Sequence, residues 1–156
     1  MNYLDYAATT PVNAEVLEVI TKEMASFGNP SSLYRIGREQ KQKIERVKKA
    51  ILSELQASPH DAIVFTSSGS EGNNLVFESI REHFAKEKGH IIVSAVEHPS
   101  VRKPAGFLEQ EGFDVTYLAP NKDGIVTVSE IEEALREDTR LVSIMTVNNE
   151  TGARFP

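Results

Sequence analysis

Apolar and polar positions follow an alternating pattern in the larger, carboxyl-terminal part of the chain. Short apolar runs rich in β-branched residues predict strands at 63–66, 91–94, 115–118 and 141–147. Segments with apolar residues three and four positions apart predict the intervening helices, at 71–85, 100–111 and 130–135. The strand runs show no clean alternation, which is typical of strands buried on both faces. Strands that alternate with helices predict a parallel sheet with right-handed crossovers.

The amino-terminal part of the chain has a helical pattern instead. Helices are predicted at 14–25 and 37–55, after a polar, extended start at 3–11. Residues 27–32 form a loop rich in turn residues, and Pro30 favours an extended conformation at Asn29. The apolar face of the first helix is predicted to consist of Val16, Leu17 and Ile20. The last predicted helix of the chain begins with a capping-box pattern at 129–132.

Composition narrows the function classes. The 156 residues suffice for one domain, and 40% hydrophobic with 26% charged residues is ordinary for a globular protein. A net charge of -6 argues against a nucleic-acid-binding surface. We expect a cytoplasmic protein, because no apolar run has the length of a membrane span and the start lacks a signal-peptide pattern. The absence of cysteine excludes disulfides, thiolate metal sites and a cysteine nucleophile from this chain, and no metal site is predicted.

Residues 67–74, Ser-Ser-Gly-Ser-Glu-Gly-Asn-Asn, connect the first predicted strand to a helix. Such a connection directs several backbone N–H groups, and the positive end of the helix dipole, at one point that suits a phosphate. Gly69 permits close approach, and the hydroxyls of Ser67, Ser68 and Ser70 can each donate to a phosphate oxygen. The alternative interpretation is that Ser70 is only the N-cap of the helix.

Two further polar clusters follow predicted strands, at 97–99 and 148–152. In a parallel α/β sheet, ligands bind at the carboxyl ends of the strands. An imidazole, an amide pair and a phosphate-binding turn at one edge would suit a planar, phosphorylated cofactor. Each cluster also has a simpler explanation, because a lone histidine is often a surface residue and Asn-Asn is common in turns. The other histidines, His60, His83 and His90, are assigned no role.

Five segments together carry a resemblance to a known family. They are 3–11 (Tyr-Leu-Asp-Tyr-Ala-Ala-Thr-Thr-Pro), 27–32 (Phe-Gly-Asn-Pro-Ser-Ser), 63–74, 97–99 (Glu-His-Pro) and 148–152 (Asn-Asn-Glu-Thr-Gly). In this order and spacing the chain resembles the cysteine desulfurases, which are pyridoxal-phosphate enzymes of the class V aminotransferase group with fold type I. The match extends from the first residues to the last.

The resemblance implies a role for each matching residue. Gly69 and Ser70 match the pair that holds the cofactor phosphate, and His98 matches the imidazole that stacks on the pyridine ring. Asn149 matches the amide that hydrogen-bonds the phenolic oxygen of pyridoxal 5'-phosphate. Asn29 matches a loop position near the substrate carboxylate.

The resemblance also implies the architecture and the reaction. We expect a three-layer α/β/α fold with a mostly parallel sheet, in which residues 1–14 form an extended arm and 15–156 part of the large domain. The complete enzyme would convert L-cysteine to L-alanine and an enzyme-bound persulfide for iron–sulfur cluster assembly. In relatives the lysine that binds the cofactor, the aspartate at the pyridine nitrogen and the nucleophilic cysteine all lie beyond the stretch matched here. The 156-residue chain alone is therefore predicted to be inactive.

Two alternatives stay open at this point. The chain could be a catalytically dead binding or interaction module, or part of another class V aminotransferase-type enzyme. Strands 63–66 and 141–147 would lack neighbours in a sheet this short, and unpaired strand edges favour association. The expected partners are L-cysteine, as substrate of the complete enzyme, and either a complementary carboxyl-terminal segment or a second copy of the chain. Neither nucleic acid nor membrane is expected as a partner.

Overall fold

A computed structural model describes residues 2–58 and 60–156 of the chain. Within them the elements are α1 (Ala14–Met24), α2 (Arg35–Glu54), α3 (Gly69–His83), β1 (His90–Ser94), α4 (Pro99–Gln110), β2 (Asp114–Leu118), α5 (Val128–Ala134) and β3 (Thr139–Ser143). The chain divides into two compact units, one ending at Phe65 and the other formed by Thr66–Pro156. Among the residues described, no helix combines the length and the apolar character needed to cross a membrane.

The sheet lies in the second unit and has the strand order β2-β1-β3. Both pairings are parallel, and Ile91 of the central strand is paired with Val115 on one side and Leu141 on the other. Since the chain returns to the same end of the sheet through α4 and α5, the predicted α/β class with a parallel sheet is confirmed.

The hydrophobic core lies where α3 and α4 pack on one face of β1. It contains the buried side chains Phe77, Ile91, Val93, Val101, Ala105, Leu108 and Phe113. All five residues of β1 are buried, whereas β2 and β3 contain only partly buried and exposed residues. The prediction of strands buried on both faces is therefore right for β1 and wrong for the two edge strands.

A buried histidine connects the three strands near their amino-terminal ends. His90 is fully buried, and its Nδ1 lies 2.9 Å from the Thr139 hydroxyl while its Nε2 lies 2.8 Å from the Thr116 hydroxyl. One imidazole thus joins all three strands.

Two predicted strands differ from the structure. Residues 63–66 form no strand, because none of the strands in the described part of the chain pairs with them, and Val64 and Phe65 are exposed. The last strand begins at Thr139 and ends at Ser143, not at residue 147. It ends there because the chain leaves the sheet, and Val147 forms an antiparallel bridge with Arg154 instead.

The first unit contains α1 and α2, as the helical pattern predicts. Asn13 caps α1 through its Oδ1, which accepts the Glu15 N–H at 2.8 Å, and Lys43 of α2 forms an ion pair of 2.7 Å with Glu23 of α1. No residue of α1 is buried, so its predicted apolar face stays exposed to solvent. The start of the chain is not extended throughout, because residues 6–8 form a turn.

The capping box of α5 lies two residues before the predicted position. The Thr127 hydroxyl accepts the Glu130 N–H at 3.3 Å, while the Glu130 carboxylate accepts the Thr127 N–H at 2.7 Å. The pattern at 129–132 has the right residue types, but the helix starts earlier, so Ser129 lies inside its first turn.

Candidate functional site

The first turn of α3 presents unused hydrogen-bond donors. Its N-cap is Ser68, whose hydroxyl accepts the Glu71 N–H at 3.2 Å, so the interpretation of Ser70 as the N-cap is wrong. Within residues 2–58 and 60–156, the Gly69 N–H, the Ser70 N–H and the Ser70 hydroxyl donate no hydrogen bond to the protein. A Cβ added at Gly69 would meet no atom within 4 Å, so the space beside this turn is open. The donors and the helix dipole together favour an anion here.

Glu71 uses the donors of Ser67. Its Oε2 accepts the Ser67 N–H at 2.5 Å and the Ser67 hydroxyl at 2.6 Å, and these bonds lower the pKa of the Glu71 carboxyl. The Ser68 hydroxyl already serves as the cap. The prediction that three serine hydroxyls donate to one phosphate therefore needs correction at Ser67, whose proton goes to Glu71, whereas the Ser68 hydroxyl only accepts a bond as the cap and keeps its proton available, as Ser70 does.

His98 lies at the start of α4, at the carboxyl end of the loop that follows β1. It is the N-cap residue, and its Nδ1 accepts the Ser100 N–H at 3.1 Å. Pro99 occupies the first helical position, where its fixed φ suits a helix and its missing N–H costs nothing. His98 is exposed, so its imidazole is accessible to a ligand.

A side-chain hydrogen bond connects the first turns of α3 and α4. The Asn73 Nδ2 donates to the Ser100 hydroxyl at 2.9 Å, and the same hydroxyl lies 2.8 Å from Nδ1 of His98. The helix start that carries Gly69 and Ser70 is thereby linked to the imidazole.

Asn148 and Asn149 follow the last strand and have different surroundings. Asn148 is buried, and its Oδ1 accepts the N–H groups of Glu150 and Thr151, each at 2.9 Å. Its Nδ2 donates to the Val96 carbonyl at 3.2 Å, so it shapes the turn and joins it to the β1–α4 loop. Asn149 is exposed on that turn and donates to the Glu150 carboxylate at 2.8 Å.

Glu97 provides the second connection between these two loops. Its side chain is buried, and Oε1 accepts the Ser94 hydroxyl at 2.9 Å and the Met145 N–H at 2.5 Å. Glu97 and Asn148 therefore place His98 and Asn149 at the same edge of the sheet. Sequence reasoning assigned neither residue a role. The sequence did contain a signal for both, because Glu97 and Asn148 each stand directly before a predicted site residue in a polar cluster that follows a strand.

Asn29 belongs to the first unit, where it begins a tight turn. Its Oδ1 accepts the Ser31 N–H at 2.9 Å, and its carbonyl accepts the Ser32 N–H at 3.0 Å. Gly37 of α2 approaches this turn so closely that a Cβ there would lie 2.6 Å from the Asn29 carbonyl oxygen. The turn is thus shaped by contacts within its own unit, and the Asn29 side chain is exposed.

The donor set of the second unit fits a planar ligand that carries a phosphate. Backbone N–H groups and a serine hydroxyl at a helix start suit phosphate oxygens, an exposed imidazole suits a flat ring, and an amide suits a ring oxygen. No group of three or more histidine, aspartate or glutamate side chains in the described part of the chain is arranged to hold a metal ion.

Comparison with known families and proteins gives consistent matches. A model of the family described as aminotransferase class V matches residues 2–156. A protein named cysteine desulfurase IscS from Dictyoglomus turgidum is 43% identical over 155 residues, and mitochondrial cysteine desulfurase from Eremothecium gossypii is 40% identical over 156 residues. Each alignment covers 99% of this chain, which spans 39% of the first relative and 32% of the second.

Solved structures match along nearly the whole chain. The structure titled SspA in complex with cysteine superposes with a TM-score of 0.92 at 41% identity and covers 100% of this chain. A protein titled NifS-like superposes with a TM-score of 0.89 at 37% identity and covers 97% of it. The chain corresponds to 45% and 42% of those two structures.

Proposed function

Because this chain belongs to the aminotransferase class V family, we propose that it forms the amino-terminal part of a pyridoxal-phosphate-dependent cysteine desulfurase. The complete enzyme would take sulfur from L-cysteine for iron–sulfur cluster assembly. The observation that carries the proposal is the first turn of α3, whose unused donors at Gly69 and Ser70 are linked through Asn73 and Ser100 to His98. The names of the relatives, which are cysteine desulfurases, supply the substrate.

Each site residue has a part in this proposal. The N–H groups of Gly69 and Ser70 and the Ser70 hydroxyl bind the phosphate of pyridoxal 5'-phosphate, His98 stacks on its ring, and Asn149 donates to its phenolic oxygen. Asn29 lies near the substrate carboxylate. When bound, this cofactor supplies an electron sink for carbanion chemistry. The residues of this chain would bind and orient the cofactor.

The nucleophile has to come from outside these residues. The chain contains no cysteine, so it cannot itself accept sulfur as a persulfide. We assign the sulfur-accepting cysteine and the cofactor-binding lysine to a carboxyl-terminal part, and regard residues 15–156 as part of the large domain. Exposed apolar side chains such as Val64, Phe65 and Val142 support a complementary segment, or a second copy of the chain, as the partner that covers them. A cytoplasmic location completes the proposal.

A chimera tests the function directly. Residues 1–156 are fused to the part of the Dictyoglomus turgidum relative that follows the aligned region, and sulfide and alanine are measured with L-cysteine, cofactor and a reductant. We expect both products in equal amounts from the chimera and none from the 156-residue chain alone, because the chain lacks the thiol that would attack the substrate sulfur.

The outcomes separate the candidate functions. A folded chimera that binds the cofactor but releases neither product would favour the catalytically dead binding module. Pyruvate or another carbon product without sulfide would favour a different class V enzyme. Sulfide from the 156-residue chain alone would overturn the assignment of the nucleophile to another part.

Ser70→Ala in the chimera should weaken cofactor affinity about tenfold, because it removes a hydroxyl that donates to a phosphate, and a hydrogen bond to a charged group contributes about 1.5–3 kcal/mol. Equilibrium dialysis measures the dissociation constant. Ser79→Ala is the matched control, since the Ser79 hydroxyl donates to the Leu75 carbonyl on the exposed side of the same helix. Equal affinities for the two variants would mean that the phosphate is held elsewhere.

A further inference from the structure

His98 is held by two donors that act on the same ring nitrogen. The Ser100 N–H lies 3.1 Å from Nδ1, and the Ser100 hydroxyl lies 2.8 Å from it. A backbone N–H can only donate, so Nδ1 must be the acceptor in this pair. In the neutral imidazole the proton then resides on Nε2.

Asn73 fixes the direction of the hydroxyl. Its Nδ2 donates to the Ser100 oxygen at 2.9 Å, so that oxygen already accepts one hydrogen bond and its own proton is available for Nδ1. Both Asn73 and Ser100 are partly buried, whereas His98 is exposed. The hydrogen-bonded chain therefore runs from the sheltered space between α3 and α4 to an accessible ring.

We infer that Asn73 and Ser100 are positioning residues that set the tautomer of His98. They occupy Nδ1 and leave Nε2–H as the proton that the ring offers at the carboxyl edge of the sheet. Because the two residues come from different helices, the same hydrogen bonds fix the ring relative to the helix start that carries Gly69 and Ser70. What the tautomer of His98 means for catalysis rests on the proposed function, but the tautomer itself can be measured on this chain alone.

Nitrogen-15 NMR of the 156-residue chain tests the inference without any cofactor. Long-range proton–nitrogen correlations at about pH 9, where imidazoles are neutral, report which nitrogen carries the proton. His98→Gln identifies the His98 signals among those of the other histidines. In the wild-type chain we expect the Nε2–H tautomer to predominate at His98. Ser100→Ala, which keeps the backbone N–H but loses the hydroxyl, should lower the tautomer ratio about fivefold.

A sharper comparison uses two asparagine-to-aspartate substitutions, which change the charge of the chain by the same amount at neighbouring positions. Asn73→Asp replaces the donor by a carboxylate that accepts the Ser100 proton, so it should withdraw the hydroxyl from Nδ1 and lower the ratio to a similar extent. Asn74→Asp adds the same charge at the neighbouring position, where the native amide donates to the Ser70 carbonyl instead, and should leave the ratio unchanged. Ser100→Thr retains a hydroxyl, so we expect it to have the same tautomer ratio as the wild-type chain.

The result can contradict the inference independently of the proposed function. A predominant Nδ1–H tautomer in the wild-type chain would overturn it, and so would wild-type ratios in both Ser100→Ala and Asn73→Asp. Neither result would bear on whether the chimera releases sulfide. A tautomer change in these variants with an inactive chimera would leave the inference standing and reject the enzyme assignment.

Discussion

Acidification from about pH 7.5 to about pH 5.5 should lower the free energy of unfolding of this chain, and His90→Gln should abolish most of that loss. His90 is fully buried and bridges Thr116 and Thr139 across the three strands. Burial lowers the pKa of its imidazole, and the nearby Arg136 guanidinium lowers it further, against the opposing charges of Asp114 and Asp138. The neutral ring is thus the form that the fold accommodates.

The sign of the pH effect follows from this lowered pKa. In the unfolded chain the imidazole binds a proton near pH 6.5, whereas in the folded chain it does so at a lower pH. The stabilisation is complete above about pH 6.5 and is lost as the pH falls toward the folded-state pKa, by at most about 1.4 kcal/mol per pH unit. Carboxyl groups with lowered pKa values, such as those of Glu71 and Asp138, titrate below this window.

Urea unfolding at a series of pH values, followed by circular dichroism, measures the effect. His83→Gln is the control, because it removes a histidine from an exposed helix position and should keep the wild-type slope. His90→Leu should cost about 3 kcal/mol at neutral pH, since it leaves two threonine hydroxyls without their partner. A pH profile that is equally steep with and without His90 would show that this imidazole does not control the acid sensitivity.

The sequence pattern predicted the parts of the fold that are determined by residues close together in the chain. The helices and β1 were predicted correctly because each has its own periodicity and bounding turn residues. The strand at 63–66 was wrong for a nonlocal reason, since an apolar β-branched run becomes a strand only beside a partner. The apolar face of α1 was likewise visible in the sequence, but what covers such a face is decided by other parts of a protein.

The positions of the candidate site residues could likewise be predicted from nearby residues, whereas the contacts between distant segments could not. Gly69, Ser70 and His98 were selected because they follow strand runs and begin helices, and the structure places them at helix starts; their cofactor roles stay predictions. The connections that bring the loops together could not be predicted from spacing. Glu97 reaches an N–H that lies 48 residues further along the chain, and Asn148 reaches a carbonyl 52 residues earlier. His90, to which the sequence assigned no role, joins the strands at the opposite end.

Glu97 connects the two loops at the site edge through a buried carboxylate, which accepts one hydrogen bond from a buried hydroxyl and one from a partly buried N–H. The carboxylate joins the Ser94 hydroxyl at the end of β1 to the Met145 N–H beyond β3, and it is almost completely buried. Without it, the buried Ser94 hydroxyl and the partly buried Met145 N–H would lose their acceptor, and a fully buried group without a partner costs about 1–3 kcal/mol. The two loops that carry His98 and Asn149 would lose one of their two connections, leaving the Asn148 amide to hold them.

Glu97→Ala should therefore lower the free energy of unfolding by about 3–4 kcal/mol, a large part of the total for a domain of this size. Glu97→Gln should cost only about 1 kcal/mol, since the amide oxygen can still accept both bonds but without a charge. Glu87→Ala, at an exposed loop position, is the control and should stay within about 0.5 kcal/mol of the wild-type chain.

Urea unfolding measures these free energies, and the backbone NMR shifts of His98 and Asn149 report on the structure of the two loops. We expect those shifts to move in Glu97→Ala and to stay close to wild type in Glu97→Gln. An equal loss of stability in both variants would mean that the charge of Glu97, and not its hydrogen-bond geometry, holds the two loops together.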